Sequence, residues 1–187
     1  MTKQTFKIID GVYVGPEVYP GGLDLRPYQD TLISLGCLTE VRCDLHLEGC
    51  TSLTSLGPLT KVGGWLYLYG CTRLVSLGSL KEVGYRLDLE GCTSLTSSGS
   101  LTTVGGWLDI KGCTSLVSLG SLTSVRGFLH LGEHCGTLQE VQENIRYYSS
   151  LLSHEALNAL HTKEVQNVPL YKNILLKSLQ GEGISSL

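Results

Sequence analysis

The sequence predicts a repeat solenoid, in which short coils stack into a parallel sheet around a continuous column of leucine side chains. Three observations support this fold class. The chain of 187 residues contains an ungapped repeat with a period of 21 residues. An L-x-L alternation recurs in every unit, and glycine is frequent (23 residues) while proline is scarce (5 residues). A unit this short cannot bury its leucines alone, so neighbouring units must stack to form a core.

The repeat begins at Val41 and breaks off in its fifth copy. The copies read VRCDLHLEGCTSLTSLGPLTK, VGGWLYLYGCTRLVSLGSLKE, VGYRLDLEGCTSLTSSGSLTT, VGGWLDIKGCTSLVSLGSLTS and VRGFLHLGEHCGTLQE. Each L-x-L indicates a short strand with leucines pointing inward and the alternate side chains pointing outward. An earlier, degenerate copy at Leu23-Asp24-Leu25, offset by one extra residue, brings the expected number of coils to about six.

The pattern L-x-L-x-x-C-x-x-L, present as Leu66-Tyr67-Leu68-Tyr69-Gly70-Cys71-Thr72-Arg73-Leu74, resembles the cysteine-containing variety of the leucine-rich repeat. The resemblance covers roughly residues 20 to 138 and implies a leucine-rich-repeat-like parallel sheet. The return segment, C-T-S-L-T-S-L-G-S-L, is poor in helix-forming residues. An extended or 3₁₀ return side is therefore expected, with a parallel β-helix as the alternative cross-section. The recurring glycines, represented by Gly49 and Gly57, are expected at positive φ or at close backbone approaches.

Each end of the array needs a cap, because a terminal coil otherwise exposes its apolar column to water. At residues 1–22, two short strands around Asp10-Gly11 predict a β-hairpin cap. The solenoid is assigned to 23–136. At 137–187, Thr137-Leu138-Gln139-Glu140 resembles a capping box that opens the first of three helices. These helices either cap the last coil or form a separate module that dimerises or recruits a partner.

Charge and composition restrict the class of partner and the compartment. The formal net charge is -3, without the concentrated excess of Lys and Arg typical of proteins that bind nucleic acid or anionic membranes. No apolar run approaches the roughly 20 residues of a membrane helix, and no secretory signal is visible at the N-terminus. The seven cysteines are an odd number, so reduced thiols in a cytoplasmic protein are expected.

The cysteines invite a metal or catalytic interpretation, which their spacing does not favour. Cys50, Cys71, Cys92 and Cys113 fall one per coil. Stacked in this way they point in parallel directions, whereas zinc ligands must converge on one point, so we expect buried structural thiols. A second set, Cys37, Cys43, His46 and Cys50, has a non-standard spacing and should diverge. No metal, cofactor or catalytic residue is therefore assigned.

A cysteine-dependent transferase remains the enzymatic alternative. Some bacterial leucine-rich-repeat effectors carry a cysteine-dependent ubiquitin-ligase domain after their repeats. The segment after Cys135 contains no cysteine and is much shorter, so this chain departs from those effectors at the nucleophile. No phosphate-binding loop, dinucleotide fingerprint or Ser/His/Asp arrangement is present in the sequence.

The outward positions of the strands contain both tryptophans of the chain, among mixed charges. The expected partner-binding residues are Trp65, Tyr67, Tyr69, Arg86, Asp88, Trp107, Asp109, Lys111, Phe128 and His130. Exposed aromatic side chains among charged ones have the composition of protein interfaces. Alternatively, the aromatic rings only cover glycine-rich neighbours such as Gly63-Gly64 and stabilise the sheet through cross-strand contacts.

These observations favour a non-catalytic protein that binds another protein on its aromatic sheet face. A more specific version is a bacterial or phage inhibitor of a host protein, such as an anti-defence factor, because near-identical repeats suggest rapid expansion. The alternatives are the cysteine-dependent effector enzyme and a structural protein that oligomerises, for example as a dimer, through its C-terminal helices.

Overall fold

The computed structural model describes residues 5–127 and 129–130. The predicted C-terminal helices, Cys135 and Phe128 lie outside these residues. Among the described residues, no helix has both the length and the apolar character needed to cross a membrane.

The coils stack into two parallel sheets of six strands each. The first sheet contains β3 (Val18–Tyr19), β5 (Glu40–Val41), β7 (Lys61–Val62), β9 (Glu82–Val83), β11 (Thr103–Val104) and β13 (Ser124–Val125). The second sheet contains β4 (Leu23–Asp24), β6 (Leu45–His46), β8 (Leu66–Tyr67), β10 (Leu87–Asp88), β12 (Leu108–Asp109) and β14 (Leu129–His130). Each strand pairs with its equivalent in the coil before and after it, so the molecule is a β-solenoid.

The strand register confirms the repeat alignment. From β6 onward, equivalent leucines lie side by side at 21-residue intervals, as in the pairs Leu45 with Leu66 and Leu66 with Leu87. The first rung is displaced by one residue, because Leu23 pairs with Leu45. The degenerate copy predicted at Leu23 is therefore a true strand of the second sheet.

The first sheet corrects the expectation of a single sheet. Its inward residues form a column with one valine in each strand from β5 to β13, including Val62 and Val83, which are fully buried; in β3 the equivalent residue is Tyr19. A two-residue strand is too short to produce the alternation from which strands are inferred in a sequence. The return segment forms the third side of each coil. There, isolated parallel bridges join Ser55, Ser76 and Ser97 and continue to Ser118. The return side is thus extended, as expected, and the one 3₁₀ helix of the described residues is Arg26–Tyr28.

The interior consists of aliphatic columns that run along the solenoid. Leu45 and Leu47 are fully buried, and so is Cys50 at the following inward position. The backbone of one coil is hydrogen-bonded to the next, since Leu45 N donates to Trp65 O at 2.8 Å and Leu47 N donates to Tyr67 O at 2.9 Å. Burying a leucine side chain contributes about 1.5–3 kcal/mol, and here each one is buried only because adjacent coils cover it.

Glycine occupies two kinds of position in the coils, one at the positive-φ turns and one at a corner between the sheets in three of the coils. The two recurring columns expected at positive φ all have φ between 53° and 74°: Gly49, Gly70, Gly91, Gly112, Gly57, Gly78, Gly99 and Gly120. At the corner between the sheets, Gly63, Gly84 and Gly105 lie directly against one another. A β-carbon on Gly84 would collide with the backbone carbonyl of Gly63. Side chains at this corner would therefore push neighbouring coils apart.

The predicted N-terminal hairpin is present. β1 (Lys7–Ile9) and β2 (Val12–Val14) are antiparallel, with Ile9 opposite Val12 across the turn. Asp10 and Gly11 have φ of 50° and 76°, as a two-residue hairpin turn requires. Tyr13 is buried and stacks on Phe6, with ring centroids 5.6 Å apart. The hairpin therefore adds aromatic side chains to the core at the start of the solenoid.

We predict that Gly84→Ala destabilises the protein by at least about 2 kcal/mol, because the new methyl group meets backbone that cannot move without separating two coils. Gly21→Ala is the matched control, since a β-carbon there has no neighbour within 4 Å. Urea unfolding followed by circular dichroism measures both variants. Equal stability of the two variants would contradict the tight corner.

Candidate protein-binding face

The candidate site is the outward side of the second sheet, which we call the aromatic face. It consists of the outward residues of successive coils: Asp24 and Arg26; Asp44, His46 and Glu48; Trp65, Tyr67 and Tyr69; Arg86, Asp88 and Glu90; Trp107, Asp109 and Lys111; and His130. The parallel register aligns these side chains in three columns along the solenoid. The aromatic face is therefore fixed by backbone pairing, not by loops.

One rung of the aromatic face is entirely aromatic. Trp65 is 40% exposed and Tyr69 is 54% exposed, whereas Tyr67 between them is partly buried. The Tyr67 ring lies 5.6 Å from that of Trp65 and stacks on His46 of the preceding coil at 4.6 Å and 12°. Burial raises the pKa of the Tyr67 hydroxyl. Tyr67 thus supports the rung, while Trp65 and Tyr69 present accessible ring surface.

Asp44 fixes the start of this rung, and its role was missed in the sequence. Its Oδ1 accepts a hydrogen bond from the backbone N–H of Trp65 at 2.8 Å. Gly64 permits the approach, because a β-carbon there would collide with the same oxygen. The Gly-Gly pair before Trp65 was the available signal, since it indicates that a neighbouring group comes close to the backbone.

Arg86 connects the carboxylate of Asp88 on its own rung with that of Asp109 on the next rung. Its Nη2 lies 2.8 Å from Asp88 Oδ2 and 3.4 Å from Asp109 Oδ2. His130 Nδ1 lies 3.1 Å from the same Asp109 oxygen. Burial is the main cause that raises the pKa of the Asp88 carboxyl above its usual range. This charged network stiffens the centre of the aromatic face.

The same network corrects one predicted contact residue. Asp109 points away from the core as expected, but it is only 8% exposed, because Arg86 and His130 cover its carboxylate. Asp109 therefore positions other side chains and is not available as a principal contact. An alternating pattern places a side chain on a face, but it does not reveal whether neighbours on that face cover it.

Trp107 both covers a glycine of the next coil and keeps part of its ring accessible to a partner. Its ring lies against Gly127 of the next coil, where a β-carbon would be 2.6 Å from Trp107 Cδ1. The Arg86 guanidinium lies 6.0 Å from the Trp107 ring centroid. Nevertheless the side chain remains 48% exposed. Covering a glycine therefore accounts for one side of the ring and leaves the other side accessible.

Further ion pairs lie at the edge of the aromatic face. Lys111 Nζ is 3.0 Å from Glu90 Oε1, and His46 Nδ1 is 3.1 Å from Glu48 Oε1. In the first coil, Arg26 is hydrogen-bonded to Asp24 at 2.7 Å and lowers the pKa of that carboxyl. Exposed pairs such as Arg26 with Asp24 contribute little stability, because water already solvates both charges.

Tyr85 was not predicted as a site residue, yet it is the most exposed of the large hydrophobic side chains described, at 62%. It occupies the position at which three other coils have Gly64, Gly106 and Gly127. Replacement of a repeated glycine by tyrosine was the signal that could have identified it. Tyr85 extends the aromatic surface to the corner between the two sheets.

The cysteine column is buried, as predicted. Three of the thiols donate a hydrogen bond to a carbonyl of the preceding coil: Cys71 to Leu47 O at 3.1 Å, Cys92 to Leu68 O at 3.2 Å and Cys113 to Leu89 O at 3.1 Å. Burial raises the pKa of Cys71 to about 12 and also raises that of Cys92. These environments disfavour the thiolate that nucleophilic chemistry and metal binding both require.

The second cysteine set diverges as expected, since Cys37 and Cys43 are exposed whereas Cys50 is buried. Among residues 5–127 and 129–130, no three His, Cys, Asp or Glu side chains lie close enough together to hold a metal ion.

A scan against protein-family models found no matching family. Searches of curated proteins and of solved structures also found no similar protein.

We predict that alkylation of the native protein with a maleimide modifies Cys37 and Cys43 rapidly, while Cys50, Cys71, Cys92 and Cys113 react only after unfolding. The reason is the burial of the latter four and the raised pKa of the thiols at Cys50 and Cys71. Peptide mass spectrometry at successive times assigns each site. Rapid native labelling at Cys71 or Cys92 would contradict the buried column.

We predict different pH responses for two conservative variants of the aromatic face. The folded-state pKa of Asp88 is raised, so its protonation favours folding as pH falls through that raised pKa towards the ordinary value near 3.8. The free energy of unfolding of the wild type, relative to that of Asp88→Asn, should therefore increase as the pH is lowered from about 7 to about 4.

Asp24→Asn is the control for this pH series. The pKa of Asp24 is lowered by Arg26, so its stabilising contribution persists above the ordinary carboxyl pKa and is lost only at more acidic pH. Urea unfolding over the same pH range compares the two variants. A constant difference between wild type and Asp88→Asn would show that burial does not penalise the Asp88 charge.

Proposed function

We propose that this protein is a non-catalytic binding module that docks a partner protein on the aromatic face. The principal contacts are Trp65, Tyr69 and Trp107, extended by Tyr85 at the corner. The observation that supports this most directly is their exposure: each keeps 40% or more of its surface accessible on a rigid sheet. Large aromatic side chains on a preorganised surface are typical of interaction hot spots, because they bury much area for little loss of conformational entropy.

Variation between the repeats supports the same proposal. The inward leucines, the cysteine column and the turn glycines hardly change from coil to coil. The outward positions of the second sheet differ in almost every coil; for example, the position before the first leucine is Asp44, Trp65, Arg86 and Trp107 in successive coils. Stacking constrains the framework strongly and the outward face weakly, so this face is where specificity can reside.

The charges of the aromatic face favour a protein over a nucleic acid. It contains six acidic and three basic residues, whereas a surface that binds phosphates requires clustered Lys and Arg. A bacterial or phage inhibitor of a host protein is one specific form of this proposal. In either form the partner is a protein.

The leucine-rich-repeat resemblance belongs to this proposal as well. A leucine-rich repeat has one strand and a helix or 3₁₀ segment per repeat, and it binds partners through its sheet. Here each coil contributes two strands and, on the third side, a bridge. The L-x-L strand is shared with that family, and we propose that it has the same role in recognition.

The enzymatic alternative receives no support from the four cysteines of the column, which are buried. The proposed dimerisation through the C-terminal helices involves residues that lie outside those described.

We predict that the Trp65→Ala, Trp107→Ala double variant loses the partners that the wild type retains in a pull-down, because two exposed hot-spot rings are removed. Each ring is expected to contribute at least about 2 kcal/mol to binding. The control is Val75→Ala, Val117→Ala, which removes two side chains of similar exposure (48% and 55%) from the third side. If the tryptophan variant keeps the same partners as the wild type, the aromatic face is not the binding site.

A further inference from the structure

Around Tyr69, an accessible aromatic ring lies between two carboxylates. The register of β6, β8 and β10 places Glu48 and Glu90 on the strands on either side of Tyr69. Neighbouring strands are about 4.8 Å apart, so both carboxylates lie within reach of a group bound over this ring. An aromatic face with flanking negative charge is a favourable environment for an organic cation.

The acidic excess of the described residues lies wholly on the aromatic face. Residues 5–130 contain eleven acidic and nine basic side chains. The aromatic face holds six of the acids and three of the bases, which leaves five acids and six bases elsewhere. The rest of the described protein is therefore close to neutral, and the aromatic face alone has a negative potential that could attract a cationic partner.

The carboxylates beside Tyr69 are more accessible than those beside Trp107. The side chains of Glu48 and Glu90 are 25% and 34% exposed, and they are paired with His46 and Lys111. Asp88 and Asp109 are 13% and 11% exposed and share Arg86. The edge of the face at Tyr69 is thus where a cation of a partner could reach both a ring and two carboxylates.

The protein already contains one contact of this type, because the Arg86 guanidinium lies 6.0 Å from the Trp107 ring centroid while bound to two carboxylates. We propose that the partner presents a segment with Arg or Lys side chains, and that one of these cations lies over Tyr69 between Glu48 and Glu90. This inference rests on the proposed function and specifies the chemistry of the partner.

The dimensions of the aromatic face favour a segment over a broad globular surface. Six strands span about 24 Å, and three outward columns with their side chains span about 20 Å, giving an area on the order of 500 Å². A standard protein interface buries about 800 Å² on each partner. The face is therefore long enough for an extended chain but smaller than a typical globular contact.

The test uses a fluorescein-labelled peptide of alternating Arg and Gly as the probe and the full-length protein, with fluorescence anisotropy as the readout. Saturable binding is expected, and it should weaken as salt is raised, because exposed charges are screened. The double variant Glu48→Gln, Glu90→Gln should weaken binding by at least about fivefold, and so should the single variant Tyr69→Ala. A peptide of alternating Glu and Gly should not bind.

The matched control is Glu40→Gln, Glu82→Gln, which removes the same charge from the first sheet and should leave the affinity within about twofold of the wild type. Thermal unfolding verifies that all variants are folded. The proposal of a cationic protein segment would be overturned if the Arg-Gly peptide did not bind saturably, or if the control variant lost as much affinity for it. It would also be overturned if spermidine, added as a competitor, bound as tightly as the peptide.

Failure of this inference is distinguishable from failure of the proposed function. If pull-down partners depend on Trp65 and Trp107 but the Arg-Gly peptide does not bind, the binding face stands and only the cationic partner is wrong. If the pull-down is insensitive to both tryptophans, the proposed function itself is wrong.

Discussion

Successive coils supply one another with hydrogen bonds and with cover for their leucines, and nothing inside a single coil could replace either contribution. From β6 onward, the 21-residue register keeps equivalent residues in contact along the stack. It favours leucine, cysteine and glycine at the same positions of successive coils, because a change in one coil alters the fit of two neighbours; one leucine position holds the buried Ser98. The corner at Gly63 and Gly84, where no β-carbon fits between coils, is the strictest case.

The same stacking explains the chemistry of the cysteines. A thiol fits the small space at the end of each inward strand, and its S–H donates to a carbonyl of the coil before it. Burial raises the pKa of Cys50 and Cys71 to about 12, so the thiols remain protonated and act as packing groups. A regular row of potentially reactive residues thus contributes to the core.

The outward side of the second sheet has more freedom, because its side chains contact neighbouring coils on one side only and face solvent on the other. There the sequence varies from coil to coil, and the strands hold the aromatic and charged residues at fixed spacing. The surface is not uniform, however. Arg86 draws Asp88 and Asp109 together and Tyr67 stacks on His46, so these residues stiffen the face, while Trp65, Tyr69 and Trp107 remain accessible.

The sequence by itself determined the coil length, the inward leucine columns, the burial of the cysteines, the turn glycines and the hairpin at Asp10-Gly11, because each follows from periodicity or from a local backbone requirement. Only the tertiary structure decided that each coil has a second strand, since the pair Glu40–Val41 is too short to give a periodic signal. It also decided which outward side chains are accessible. Asp109 is buried because Arg86 and His130, each one coil away, cover its carboxylate, and contacts between coils depend on three-dimensional geometry that a linear pattern does not contain.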